Sequence, residues 1–191
     1  MNNYEDIIAC LPVLQEDWNQ SKGLDADAVT TEIKSQLSGK DLEHFDLLLS
    51  GFDPDKLCEN FYRKAAKSAS GFIRQYFAYD LGVRNAKVAY LNKALGRPEG
   101  MDMVVLSEDE FEDWAAATEV LSGTDILERE RGLDDLMWAK IEELTQMHVF
   151  DLDVILGFEA KLKIVDRWLK LDPRTGWEMF RKLVDEIRNT R

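Results

Sequence analysis

The feature that most constrains the fold is a run of apolar residues at helical spacing between positions 65 and 96. Its members are separated by three, four and seven residues: Phe72, Tyr76, Phe77, Leu81, Val88, Leu91 and Leu95. This periodicity is typical of an amphipathic α-helix. Gly96 and the following Arg97-Pro98 form a helix C-terminal signal. The pattern therefore predicts one long helix over 65–96, which needs partner helices to bury its apolar face.

Capping residues and breakers predict further helices on both sides of this one. The predicted segments are 25–37, 40–49, a helix starting at Asp53-Pro54, a helix from the capping box Ser107–Glu110 to Leu121, 125–147, 151–171, and a last helix capped by Thr175. Residues 4–14, which contain Pro12, are interpreted instead as a short strand or an extended apolar anchor. The expected fold is all-α, a multi-helix bundle of about seven to nine helices.

The loop at 97–106 suggests a soft boundary within the chain. We expect an N-terminal helical lobe over 1–100 and a C-terminal helical bundle over 101–191, packed as one unit. A chain of 191 residues is long enough for one domain with a real core, or for two small helical lobes.

The charge of the chain is strongly acidic and unevenly distributed. There are 24 Lys and Arg against 37 Asp and Glu, a formal charge of −13, which argues against nucleic acid as a partner. Residues 60–96 carry 7 basic and 1 acidic side chains, whereas residues 97–160 carry 4 and 18. Such blocks pair within one fold, face water, or recognise an oppositely charged partner.

Targeting and membrane signals are lacking in the sequence. No stretch approaches the ~20 apolar residues of a membrane span, so direct membrane insertion is not expected. The two cysteines, Cys10 and Cys58, are interpreted as thiols in a reducing cytoplasm. The N-terminus has no basic region of the secretory type.

No motif for catalysis, cofactor or metal is recognisable. The two histidines, His44 and His148, have no partner at metal-ligand spacing, and neither GxxxxGK[ST], GxGxxG nor GxSxG occurs. The sequence therefore predicts no catalytic residue, no cofactor and no metal site. A pair of cooperating carboxylates stays open as an alternative, because sequence does not reveal their spatial separation.

Polar residues on the predicted long helix are the most informative candidates for a site. Asp80 and Arg84 are four apart and can pair on one face. Asn85 and Asn92 are seven apart, in line with the apolar seam. Buried amides need hydrogen-bond partners, so these four residues either fix the register of packed helices or contact a partner.

This stretch resembles a signature of the C-subunit family of V-type and A-type ATPases, known as the d-subunit in eukaryotic enzymes. The matching residues are Phe77-Ala78-Tyr79-Asp80, Arg84-Asn85 and Leu91-Asn92 with Gly96. The resemblance lies mainly within residues 72–96.

The whole chain also resembles a bacterial family of unknown function encoded beside V-type ATPase subunits. The residues that carry this second resemblance are spread along the chain: Tyr4, Ile8-Ala9 and Leu11-Pro12, then 128–134, Trp138 and 143–145, and finally 164–172 and 175–180.

These resemblances imply a non-catalytic role in ion transport. Members of the C-subunit family link the central stalk to the membrane rotor ring, so the implied partners are central-stalk and membrane-ring subunits. The implied location is cytoplasmic, peripheral to the inner membrane through the complex. The members of that family are much longer and comprise three similar helical lobes, so this chain corresponds to only one or two of them.

Two alternatives to the adaptor follow. The chain is a soluble assembly factor or regulator of the ATPase, or, less favoured, a carboxylate-dependent enzyme of unrecognised type. Trp114 and Trp177 are interpreted either as core residues or as interface anchors.

Overall fold

The chain folds into a bundle of helices. The computed structural model describes residues 4–15, 17, 21, 23–106 and 110–171, and these contain eight helices and no strand. The helices are α1 (Glu5–Ala9), α2 (Ala26–Gln36), α3 (Gly39–Ser50), α4 (Glu59–Ala66), α5 (Gly71–Leu95), α6 (Trp114–Ser122), α7 (Ile126–Thr145) and α8 (Leu152–Leu169). The predicted all-α fold class is confirmed.

Three predicted helices begin at the expected aspartates, and the N-cap predicted at Asp151 is confirmed. Asp25 Oδ1 accepts a hydrogen bond from the Ala28 amide at 2.9 Å and caps α2. Asp125 and Asp151 cap α7 and α8 in the same way. Each carboxylate satisfies a backbone N–H that the first helical turn leaves without a partner.

The predicted long helix begins six residues later than expected, because residues 65–66 end α4 and α5 begins at Gly71. The break lies between Ala66 and Gly71, where the Ser70 hydroxyl accepts from the Ile73 amide at 3.2 Å and starts α5 afresh. The seven apolar positions that define the periodicity, from Phe72 to Leu95, all lie after the break, so the pattern did not locate the start of the helix. The predicted end is confirmed: Gly96 has φ +63°, a left-handed conformation that favours glycine.

Several other local predictions differ from the structure. The segment predicted as a strand or an extended anchor contains the short helix α1, which ends before Pro12. The Asp53 carboxylate accepts from the Asp55 amide and forms a turn, so the helix expected there begins only at Glu59. The first three capping-box residues, 107–109, and the helix predicted from Thr175 lie outside the described residues.

α5 lies at the centre of the bundle. It packs against α4, α6, α7 and α8, while α2 and α3 pack against α8. The core is built from large apolar side chains that are fully buried, among them Phe45, Phe72, Ile73, Ile141 and Ile155. Burial of each contributes about 1.5–3 kcal/mol.

The division into lobes at 100/101 stays a prediction. None of the described helices combines the length and the apolar character needed to cross a bilayer.

Candidate functional site

A groove of about 880 Å³ lies along the first half of α5. One wall is the face of α5 that presents Arg74, Ala78, Leu81, Gly82 and Asn85. The opposite wall is the segment 103–106, and Phe111, Trp114 and Lys140 complete the lining. The groove therefore joins a rigid helix to a stretch of non-helical backbone.

The Asn85 side chain clamps this non-helical wall to α5. Its Nδ2 donates to the Val104 carbonyl at 2.8 Å, and its Oδ1 accepts from the Val104 amide at 3.1 Å. One planar carboxamide reaches both groups of the same residue only when they point to the same side. This is the geometry of an extended residue, so Asn85 pairs with Val104 as a neighbouring strand does.

Asn92 anchors the same segment three residues before Val104, at Met101. It is only 3% exposed, and its Nδ2 donates to the Met101 carbonyl at 2.7 Å. Between the two anchors the chain turns at Asp102, whose φ of +63° is unusual for a non-glycine residue. The two asparagines predicted to lie in line thus both contact the loop that follows their own helix.

Asp80 and Arg84 form the predicted pair but lie apart from this clamp. Arg84 Nε is 2.8 Å from Asp80 Oδ2, and the Tyr62 hydroxyl donates to the same oxygen at 2.6 Å. Burial raises the pKa of Tyr62 well above its ordinary value, and the Asp80 carboxylate adds to the effect. The pair joins α5 to α4, so the four candidate residues do not converge on one point. Whether any of them contacts a partner stays a prediction.

The Phe111 ring packs against Gly82, a groove residue of α5 without a side chain. A Cβ on Gly82 would lie 2.3 Å from Phe111 Cδ2, so the ring rests directly on the α5 backbone. Phe111 also meets the Tyr79 ring edge to face, with 5.0 Å between the ring centroids. The Tyr79 hydroxyl donates to Asp113 Oδ2 at 2.5 Å, and burial raises its pKa well above the ordinary value.

Lys140 is less exposed than Arg74, another basic residue that lines the groove. Its side chain is 10% exposed, and Nζ lies 2.7 Å from Glu112 Oε1, 3.0 Å from Glu143 and 5.4 Å from the centroid of the Tyr79 ring. Burial lowers its pKa, but the two carboxylates outweigh this effect and raise the pKa above 10.5. Lys140 is therefore a paired cation and is unsuited to act as a base or nucleophile.

Sequence reasoning missed Lys140, Phe111 and Asp113. Lys140 sits in an ordinary helical pattern, and Phe111 and Asp113 lie in a segment predicted to be helical. The paired Gly82 and Phe111 leave no recognisable spacing, because they are 29 positions apart and meet only in the fold. Trp114, one of the two tryptophans considered as anchors, is 39% exposed and lines the groove, while Trp177 lies outside the described residues.

Two buried carboxylates lie elsewhere in the bundle. Asp134 accepts from Arg167 and from Trp168 Nε1, and burial raises its pKa. Glu159 accepts from the Thr30 hydroxyl at 2.7 Å, while its Oε2 is buried without a partner, and burial raises its pKa. Neither lines the groove. Within the described part of the chain, no group of three or more His, Cys, Asp or Glu side chains is placed to hold a metal ion.

The architecture defines the class as an all-helical bundle with a lateral groove along its central helix. Comparison with known families then assigns the chain to one family. It belongs to the family described as Protein of unknown function (DUF2764), whose model matches residues 53–190 and so includes α4 to α8 and the whole groove. No curated protein and no solved structure matches the chain. Nothing in these comparisons links the family to the C-subunit family of V-type ATPases.

Proposed function

We propose that this chain is a non-catalytic adaptor of a V-type ATPase, similar in role to the C-subunit family, and that the groove along α5 receives a segment of a stalk or ring protein. In this proposal the protein connects the central stalk to the membrane rotor ring. It stays on the cytoplasmic side of the inner membrane, attached through the complex.

One observation carries the proposal: four of the residues that carry the resemblance to the C-subunit family line the groove. The matching residues all lie on or directly after α5, and Phe77, Ala78, Tyr79 and Asn85 line the cavity. Asn92, another matching residue, holds the loop that leads into the opposite wall. The resemblance therefore overlaps with the groove, whereas Asp80 and Arg84 lie towards α4.

The form of the groove also supports a binding role. Its walls combine apolar side chains with the paired charges around Lys140, and its backbone wall is fixed by two asparagine anchors. Rigid, partly apolar surfaces of this kind bind a partner without a large loss of conformational entropy.

The test is affinity purification of the tagged full-length chain from its own host's membranes, followed by mass spectrometry. Ala78 is an exposed groove residue, and the variant Ala78→Trp places a large ring in the groove. Ala94 is also exposed on α5 but does not line the groove, so Ala94→Trp is the matched control.

We expect the parent chain and Ala94→Trp to recover catalytic, stalk and ring subunits in constant ratio, and Ala78→Trp to lose them. Recovery of only soluble, partly assembled stalk components favours an assembly factor instead. Recovery of none of these subunits from an intact ATPase would overturn the proposal. If Ala78→Trp recovered the ATPase subunits as well as the parent chain does, the groove would not be the docking surface.

A further inference from the structure

The wall segment 103–106 has a second backbone edge. In an extended chain, the polar groups of successive residues point to opposite sides. Because Val104 directs its N–H and C=O towards Asn85, the N–H and C=O of Val105 point away from that side chain. Among the described residues, Val105 makes no hydrogen bond through either group, and it is 70% exposed.

This edge is held in place before any partner arrives. The Met101 carbonyl is bound by Asn92, and the Met103 amide donates to the Gly100 carbonyl at 3.2 Å. Asn85 then fixes Val104 at two points. A strand that pairs with this edge orders little of the receiving segment, which favours association.

The charge around the edge selects the kind of partner. The described residues 97–106 and 110–113 contain 1 basic and 5 acidic side chains. Acidic copies of the same chain, each with a net charge of −13, repel one another, whereas a basic segment is attracted. The apolar side chains of Met103, Val105 and Leu106 line the groove beside the edge and suit alternating apolar positions in a partner strand.

We infer that the segment 103–106 is a docking edge for strand addition by an extended, basic peptide segment of another protein. The partner strand would hydrogen-bond the N–H and C=O of Val105, and its Lys or Arg residues would face the acidic side chains of the described residues 97–106 and 110–113. This inference deepens the proposed function by naming the kind of segment that the groove receives. It rests on that function only for the identity of the partner.

The decisive variant is Val105→Pro. Proline lacks the N–H that a partner strand needs, and it favours an extended conformation at the preceding residue, which Val104 already adopts. Val105→Thr is the matched control, because it keeps both backbone groups and a similar β-branched shape at an exposed position. Equal unfolding midpoints for the three full-length chains verify that the substitutions leave the fold intact.

The probe is a dye-labelled peptide of eight alternating Lys and Val residues, measured by fluorescence anisotropy. A second peptide of the same sequence carries an N-methyl group at every peptide bond. This removes its backbone N–H donors and keeps the charge of its Lys side chains. A third peptide has Glu in place of Lys. These peptides test backbone pairing and charge without any ATPase component, so a failure here is distinct from a failure of the purification experiment.

We expect the Lys–Val peptide to bind the parent chain and Val105→Thr equally, and to bind Val105→Pro about tenfold more weakly. The N-methylated and Glu-containing peptides should lose binding to a similar extent, and added salt should weaken binding of the Lys–Val peptide. Equal binding of the unmodified Lys–Val peptide to the parent and to Val105→Pro would overturn strand addition. Equal binding of the unmodified and the N-methylated Lys–Val peptides to the parent would overturn it too. Absence of binding, or equal binding of the Glu peptide, would overturn it as well.

Discussion

Removal of the Asn85 amide should release the wall of the groove while leaving the bundle folded. The variant Asn85→Ala deletes both hydrogen bonds to Val104, of 2.8 and 3.1 Å, and makes no new contact. Asn92 still holds Met101 in this variant, so the segment is anchored at one end only. The expected result is a loop that opens locally around Val104.

The magnitude follows from the burial of the groups involved. Each neutral hydrogen bond contributes about 1 kcal/mol net, and both Asn85 and Val104 are only half-buried, so water reaches the freed groups. We expect a loss of about 1–2 kcal/mol in the free energy of unfolding. The loss is limited by the free energy of opening the loop, since a loop that is already open does not destabilise the bundle further.

Native-state amide hydrogen exchange gives the sharpest measurement. In Asn85→Ala the Val104 amide loses its acceptor and should exchange freely, and the neighbouring Met103 amide should exchange about 5–30-fold faster, since the loop opens more often. The variant Asn85→Asp keeps an acceptor for the Val104 amide but loses the donor to its carbonyl. It should therefore protect the Val104 amide more than Asn85→Ala does.

The control is Asn92→Ala, which removes the other anchor without touching Val104. Its effect should be largest at the Met101–Met103 end of the loop. If the Val104 amide exchanged at the parent rate in Asn85→Ala, the two-point clamp would not exist in solution, and the geometry on which the docking edge depends would be wrong.

Three further outcomes are expected. Gly82→Ala gains about 1 kcal/mol of helix propensity but places its Cβ against the Phe111 ring, which costs about 1–3 kcal/mol. Thermal unfolding should therefore show a net loss of up to about 2 kcal/mol, and a rise in Tm would contradict the close approach. Burial raises the folded-state pKa of Glu159, so stability should fall as pH rises from about 4.5 through that pKa, and urea titrations of Glu159→Gln should show a flatter pH dependence. The hydrogen bond with Asp151 raises the pKa of His148 above 6.5. The contribution of His148 to the free energy of unfolding should therefore be complete below pH 6.5 and disappear as pH rises through the folded-state pKa. An NMR titration of His148 with a midpoint below pH 6.5 would refute this.

Helix starts at aspartates were predicted in part: helices begin at the expected positions after 25, 125 and 151, whereas Asp53 forms a turn and the helix expected there begins only at Glu59. The aspartates at 25, 125 and 151 each carry their own signal, because the carboxylate and the amide it accepts from lie within three residues. The break at Ser70 was missed although it uses the same chemistry. The apolar positions of the pattern all follow this break, so they gave no information on where the helix starts, and the Ser70 hydroxyl was overlooked. In the structure α4 packs back onto α5.

The candidate site was predictable only in part, for a related reason. The i,i+4 spacing of Asp80 and Arg84 is local, so their pairing followed from the helix alone. Asn85 and Asn92 were recognisable as amides in need of partners, but those partners are backbone groups of a loop without a sequence signature. Lys140 and Glu112 meet across 28 positions, and no periodicity links them.

The four-residue corner at 67–70 also sets the dimensions of the molecule. A continuous helix over 59–95 would be a rod of about 55 Å, with residues 62 and 80 about 27 Å apart along its axis. The corner folds α4 alongside α5, so the Tyr62 hydroxyl meets Asp80 at 2.6 Å and the two helices together reach no further than the ~37 Å of α5 itself. Two shorter helices packed side by side thus replace one long single helix, and such a pair resists bending better than a single helix does.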